Sequence, residues 1–344
     1  MIMNIRWIAL FLLIMSCQNN AKIPIKNTNK YAQLFRIDIK KDSTFLYTYS
    51  GNKEVSKLVL TEVPKRIVLF SSSQLGFIKS LHLTKKIVGI SDKNYFYDES
   101  IAKEEILQLG DEDKLNLELL IALKPDLVLL LPSLQPNQNT LNLLKKAHSP
   151  FLITTDFKES NPLATAEWIK FYGAIFNESK ASDSIFSTVE SNYNTIKNIK
   201  AKSNIPIVMT GFPWQNQWFV SGNNSYLATL IHDAGGMYFY DKKLNNNVQL
   251  SHEEVLKYGS KATFWVNLSD ITSRNIMEQN FSLSKNMPSY INDQCYNNIN
   301  KVQSNGANDY WEIGVVRPDW ILNDLHQIFT QKENPNFIFY QKLK

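Results

Sequence analysis

Apolar and polar positions change period along this chain and divide it into segments. Leu34-Phe-Arg-Ile-Asp-Ile and Thr44-Phe-Leu-Tyr-Thr-Tyr alternate with period two, and Lys40-Lys-Asp-Ser lies between them. Such alternation on both sides of a short polar link predicts an antiparallel hairpin. From Arg66 the period is lost. Arg66-Ile-Val-Leu-Phe, Lys86-Ile-Val-Gly-Ile, Asp126-Leu-Val-Leu-Leu-Leu and Phe151-Leu-Ile-Thr-Thr are short continuous apolar runs. Runs of this kind read as strands buried on both faces. Between them Gln74–Leu81, Asn116–Leu123 and Leu141–Ala147 have helical spacing. Ser71-Ser72-Ser73 supplies a helix start, and Lys124-Pro125 a stop. Strands and helices alternating over short connections predict a mostly parallel sheet covered on both sides.

From Pro162 to Lys200 no strand pattern occurs. Trp168, Phe171, Tyr172 and Ile175 recur at helical spacing, as do Ile185, Val189, Tyr193 and Ile196, with a break at Asn177-Glu-Ser. The second helix, about twenty residues at about 1.5 Å each, is about 30 Å long, one domain diameter. After Ile205-Pro206 the alternation resumes through Ile207-Val-Met-Thr, Trp218-Phe-Val, Leu227–Ala234, His252–Tyr258 and Thr263-Phe-Trp-Val-Asn, ending with a helix over Pro318–Phe329. The predicted fold is α/β. Two lobes, each a mostly parallel sheet flanked by helices, are joined by one long backbone helix, with a small β-hairpin at the N-terminal side. The expected boundaries are a hairpin extension over 31–62, lobe one over 63–160, linking helices over 161–202 and lobe two over 203–344.

The first sixteen residues have a different purpose. Arg6 precedes the apolar run Trp7–Met15, which has the length of a signal-peptide core and not of a bilayer span. Ile14-Met-Ser-Cys17 resembles the lipobox of bacterial lipoproteins, in which the signal is cut before the cysteine and its thiol is diacylated. Residues 1–16 are thus expected to be a signal peptide and 17–30 a polar tether lipidated at Cys17, holding the protein to a bacterial cell membrane on its periplasmic side. The other cysteine, Cys295, then has no disulfide partner and is expected to be a small buried apolar residue.

Charge follows the same division. Residues 17–62 hold eight Lys and Arg against four acids, whereas 63–344 are neutral, so the folded body has no excess with which to bind nucleic acid. Enzyme signatures are missing: none of the twelve glycines makes Gly-x-Gly, and neither Gly-x-x-x-x-Gly-Lys nor Gly-x-Ser-x-Gly occurs. His252-Glu253 could open a zinc-protease helix, but Leu256 stands where the second histidine belongs. His82, His148, His232, His252 and His326 lie far apart in sequence, so a bare zinc or manganese site is a lesser alternative. A hydrolase using Ser72 is a weaker one.

The chain also resembles a family. Val63-Pro-Lys-Arg-Ile-Val-Leu-Phe-Ser-Ser-Ser, Lys86-Ile-Val-Gly-Ile-Ser-Asp and Asn116-Leu-Glu-Leu-Leu-Ile-Ala-Leu-Lys-Pro-Asp-Leu-Val-Leu-Leu resemble lobe one of helical-backbone (class III) substrate-binding proteins of ABC importers. Ser221-Gly-Asn-Asn-Ser-Tyr and Ser251-His-Glu-Glu-Val-Leu resemble lobe two, and Ala307–Leu325 resembles the C-terminal stretch of lipoprotein members. The resemblance implies a non-catalytic, monomeric protein with a ligand in the interlobe cleft and only small closure. It implies no cofactor of its own but a metal chelate as ligand: a ferric siderophore, haem or cobalamin. It also implies a partner permease with its ATPase, met through one acid per lobe, here Glu118 and Glu253.

Loops at strand ends face such a cleft. The candidate ligand contacts are Ser72, Ser73, Tyr95 and Tyr97 in lobe one, and Trp214, Trp218, Arg274, Tyr310 and Trp311 in lobe two. Planar or greasy chelates gain from aromatic faces, whereas Trp168 and Trp265 read as core. Arginine is scarce, and only Arg274 could meet an anionic ligand, which tilts the expectation toward a neutral or weakly charged chelate.

Overall fold

A computed structural model describes residues 29–103, 106–111, 114–131, 138–199, 204–214, 217–244 and 247–344. The expected signal peptide, Cys17 and most of the tether lie outside the described residues. The chain begins with a three-stranded antiparallel sheet in the order β1 (Phe35–Lys40), β2 (Ser43–Ser50), β3 (Lys53–Leu60). The expected hairpin is β1–β2, with Lys40 opposite Ser43. The third strand adds to it through Gly51-Asn52, where Gly51 has φ +58°, a left-handed turn position that glycine adopts without strain. Phe35 and Leu46 point inward and are buried, and the Thr48 hydroxyl donates to the Ile153 carbonyl at 2.7 Å, attaching this sheet to lobe one.

Lobe one contains β4 (Ile67–Leu69), α1 (Ser72–Ser80), β5 (Ile87–Ile90), α2 (Glu99–Lys103), β6 (Leu107–Gln108), α3 (Leu117–Leu123), β7 (Leu127–Leu130), α4 (Gln138–Lys146) and β8 (Phe151–Ile153). Its sheet has the order β6-β5-β4-β7-β8 and every pairing is parallel. The central strands β4 and β7 are buried at every residue, as their unbroken apolar runs require. The chain winds outward from β4 to β6, then crosses back to β7. The carboxyl ends of β4 and β7 therefore flank a topological switch point, where an open α/β sheet leaves a crevice.

The bridge is a helical pair. Asn161 caps α5 (Pro162–Ile175) by accepting the Leu163 N–H, and Pro162 takes a first-turn position where no N–H is needed. Asn177, at φ +59°, reverses the chain into α6 (Ser179–Lys197), whose nineteen residues span about 28 Å. Trp168, Ile169, Phe171 and Tyr172 of α5 are fully buried.

Lobe two contains β9 (Ile207–Thr210), β10 (Trp218–Ser221), α7 (Tyr226–Asp233), β11 (Met237–Tyr238), β12 (Asn247–Leu250), α8 (His252–Gly259), β13 (Phe264–Val266), α9 (Arg274–Asn280), α10 (Pro288–Ile291), β14 (Cys295–Asn297), α11 (Pro318–Thr330) and β15 (Gln341–Lys342). Its main sheet is β11-β9-β13-β14-β15, parallel except for the last strand, and β10–β12 form a separate antiparallel ladder. One continuous cluster of buried apolar side chains runs from Ile67 and Phe77 in lobe one, through α5, to Trp265 and Leu322 in lobe two. Trp168 and Trp265 are core, as expected, and Cys295 is buried, with burial pushing its thiol up to about 12.

Candidate functional site

The lobe-one crevice opens into a cleft of about 650 Å³. Each strand of the sheet contributes at its carboxyl end: Phe70 and Ser71–Ser73 after β4, Asn94 and Tyr95 after β5, Asp111 after β6, Leu131 after β7 and Phe157 after β8. Gly306, Ala307, Asn308 and Trp311, from the segment between β14 and α11, close it from lobe two.

The floor is fixed by capping chemistry. Ser71 is the N-cap of α1, its hydroxyl accepting the Ser73 N–H at 3.2 Å, while Gln74 Oε1 accepts the Phe70 and Ser71 N–H groups. Gln74 is itself buried and donates to Thr154 Oγ1 at 3.0 Å. The Ser71 and Ser73 hydroxyls lie 2.8 Å apart. This anchoring holds the start of α1 rigid and leaves serine oxygens at the cleft surface. Ser72 Oγ reaches the Trp311 carbonyl across the cleft at 3.5 Å.

The walls are aromatic. Tyr95, Phe157 and Trp311 are each about half exposed, which costs apolar surface in water unless something covers it. Tyr95 Oη is 3.5 Å from Asp111, whose negative charge raises the phenol above its ordinary range. No Lys, Arg or His lines the cleft among the described residues. The neighbouring sequence segments 112–113 (Glu-Asp) and 132–137 (Pro-Ser-Leu-Gln-Pro-Asn) contain none either. Nor do three His, Cys, Asp or Glu side chains converge anywhere among the described residues as a metal site would require.

The structure brings together Ser72, Ser73, Tyr95 and Trp311 of the residues singled out by sequence. The others need correction. Trp218 is fully buried and stacks on Trp265 at 5.7 Å, with Phe281 edge-on. Tyr310 is also core, packed against Phe339 and Tyr340. The Arg274 guanidinium lies over the Tyr290 ring and is bonded to Asp293 and the Tyr290 carbonyl, away from the cleft lining. Trp214 is exposed, bridged to Gln217, and is not among the described residues that line the cleft. Tyr97 lies at a separate seam between the lobes, where its N–H donates to Glu312. Sequence reading missed Leu131 and Phe157; Leu131 ends one apolar run recognised as a strand and Phe157 lies two residues beyond another, so the strand-end rule could have found them.

Glu118 and Glu253 are both exposed in the first turns of α3 and α8. Glu254, not Glu253, closes the capping box with Ser251, so Glu253 has no capping duty. Both helices lead into parallel strands of their sheets, which places their N-termini at the carboxyl edge of each sheet, the side on which ligand crevices open.

The family model described as periplasmic binding protein matches residues 67–296. A curated relative, an uncharacterised lipoprotein of Methanocaldococcus jannaschii, is 23% identical over 277 residues, covering 76% of this chain and 64% of its own length. The chain thus spans under two thirds of that relative. Among solved structures, a periplasmic haem-binding protein of Pseudomonas aeruginosa has a TM-score of 0.61 at 14% identity, covering 82% of this chain and 99% of the other. The periplasmic vitamin B12-binding protein of Vibrio cholerae has 0.55 at 15%, covering 78% and 99%. At these identities the likeness shows the fold.

Proposed function

We propose, since this chain belongs to the periplasmic binding protein family, that it captures a metal chelate in the interlobe cleft and delivers it to the permease of an ABC importer. The observation that carries this reading is the cleft itself. Three half-exposed aromatic rings, serine hydroxyls and amides converge at the switch point of lobe one, closed by Asn308 and Trp311 of lobe two. Aromatic faces suit large planar or greasy ligands, each contact contributing roughly 0.5–1.5 kcal/mol beyond its area.

The absence of cations from the described lining, with Asp111 present, favours a neutral or cationic chelate such as a ferric hydroxamate or a corrinoid. Haem would bring two carboxylates that find no arginine fork there. The haem and vitamin B12 proteins of similar fold support the ligand class in general. Lipidation at Cys17 would hold the protein at the membrane beside its permease, and Glu118 and Glu253 would meet the permease as one acid per lobe. The Methanocaldococcus lipoprotein supports the anchored form. Ser72 has the Trp311 carbonyl, not an imidazole, as its hydrogen-bond neighbour, which gives the hydrolase alternative no support.

The test is a tryptophan-fluorescence titration of the full chain with haem, cyanocobalamin and a cationic ferric trihydroxamate. Saturable quenching by the corrinoid or the trihydroxamate is expected, with its midpoint about three- to tenfold higher in Trp311→Ala. An unmoved midpoint in Trp311→Ala, or no quenching with any of the three, overturns the cleft assignment.

A further inference from the structure

The segment from Lys301 to Gly314 leaves lobe two and lies against lobe one. Its grip on lobe one is unusually close. A Cβ built on Gly76, in the middle of α1, would stand 2.0 Å from the Glu312 carbonyl oxygen. Glycine costs about 1 kcal/mol in a helix interior, and here it allows two backbones to touch. Glu312 is fully buried at this contact: Oε2 accepts the Tyr97 N–H at 2.8 Å, while Oε1 has no hydrogen-bond partner among the described residues. Gln303, from the same segment, donates to the Tyr97 carbonyl. The segment also supplies Gly306, Ala307, Asn308 and Trp311 to the cleft.

We propose that residues 301–314 form a proton-coupled clasp between the lobes, and that Glu312 is the group that takes up the proton when the clasp engages lobe one. A carboxylate buried here is poorly compensated. From α1, Lys79 Nζ stands 3.6 Å from Oε1, beyond hydrogen-bond range, and is paired with Asp98 at 2.9 Å. Asp98, beyond β5, and Asp309, on the clasp itself, both add negative charge near Glu312, although Asp309 is paired with Lys301 at 3.1 Å. Burial pushes the Glu312 carboxyl up to about 7, against the pull of the Tyr97 N–H and Lys79 in the other direction.

The sign follows from linkage. A free glutamate in water ionises near 4.3, so the engaged clasp holds more protons than the released one between those values. Engagement is favoured as pH falls and is lost as pH rises through 7. Between pH 6 and pH 8 the engaged-to-released ratio changes about tenfold. Because the clasp supplies part of the cleft wall, cleft closure depends on pH in the same direction.

Hydrogen exchange of the full chain, read by mass spectrometry without ligand, tests this apart from any binding assignment. After correction for intrinsic rates, peptides covering Tyr97 and 301–314 are expected to exchange about tenfold more slowly at pH 6 than at pH 8. Glu312→Gln, whose amide oxygen still accepts the Tyr97 N–H, should keep the protection and lose its pH dependence. Gly76→Ala should release the clasp at both pH values. Equal protection of the native chain at pH 6 and pH 8, or an unchanged pH dependence in Glu312→Gln, would falsify the proposal.

Discussion

Two tryptophans expected at the cleft, Trp218 and Trp311, have opposite fates, and strand parity decides that of Trp218. Trp218 opens β10, and Trp218, Phe219 and Val220 alternate as buried, exposed, buried. Trp218 is expected at the cleft, but a strand sends successive side chains to opposite faces, and this one sends Trp218 into the core. Trp311 has no strand to bury it and remains half exposed in the cleft wall. Substitution should separate the two. Trp218→Ala is expected to destabilise the fold by about 3–5 kcal/mol, the range for removing a buried aromatic, seen as a lower urea midpoint. Trp311→Ala should leave that midpoint nearly unchanged and weaken chelate binding about three- to tenfold. A large stability loss in Trp311→Ala, or a binding loss in a still folded Trp218→Ala, would reverse these roles. At this scale the sequence was only partly legible. Ser72, Ser73 and Tyr95 follow strands whose ends open on the cleft. Arg274 and Tyr310 carry no local mark of the distant partners, Tyr290, Asp293, Phe339 and Tyr340, that engage them.

The elements of both lobes were largely legible because short apolar strands and capped helices carry strong local patterns. Lys53–Leu60 was not, since its alternation fades into the run Leu58-Val-Leu, although Gly51-Asn52 is a hairpin turn signal. The bridging helices were marked by their spacing and by the break at Asn177. What that spacing could not reveal is the polar attachment of α5. Glu167 looks like half of a solvated pair with Lys170 one turn on, yet it is fully buried. Its carboxylate accepts the N–H groups of Lys30, Tyr31 and Ala32, and Glu159 accepts those of Gln33 and Leu34. The first described residues are thereby stitched to the bridge. Neither glutamate signals this locally, because its partners lie more than a hundred residues earlier in the chain.

For the whole molecule, the shared core through α5 argues for two lobes that move little relative to each other, since packed interiors deform poorly. On the proposed function, the lobe-one wall of the cleft is preformed, movement is confined to residues 301–314, and a permease would meet the outer rim. Reversing both rim charges, Glu118→Lys with Glu253→Lys, should abolish chelate uptake by cells while leaving chelate affinity in solution unchanged, because exposed rim charges govern encounter and orientation more than binding in a separate cleft. An equal fall in affinity would remove those residues from the docking surface. The existence of two lobes could be read from the strand–helix alternation. The sheet orders could not, since a switch point depends on which strands pair across the molecule. Native mass spectrometry of the full chain bears most directly on whether the cleft holds a chelate. Offered a ferric trihydroxamate, cyanocobalamin, zinc and manganese in turn, the protein should retain one equivalent of a chelate and neither bare ion. Stoichiometric retention of zinc or manganese with no chelate bound would contradict it.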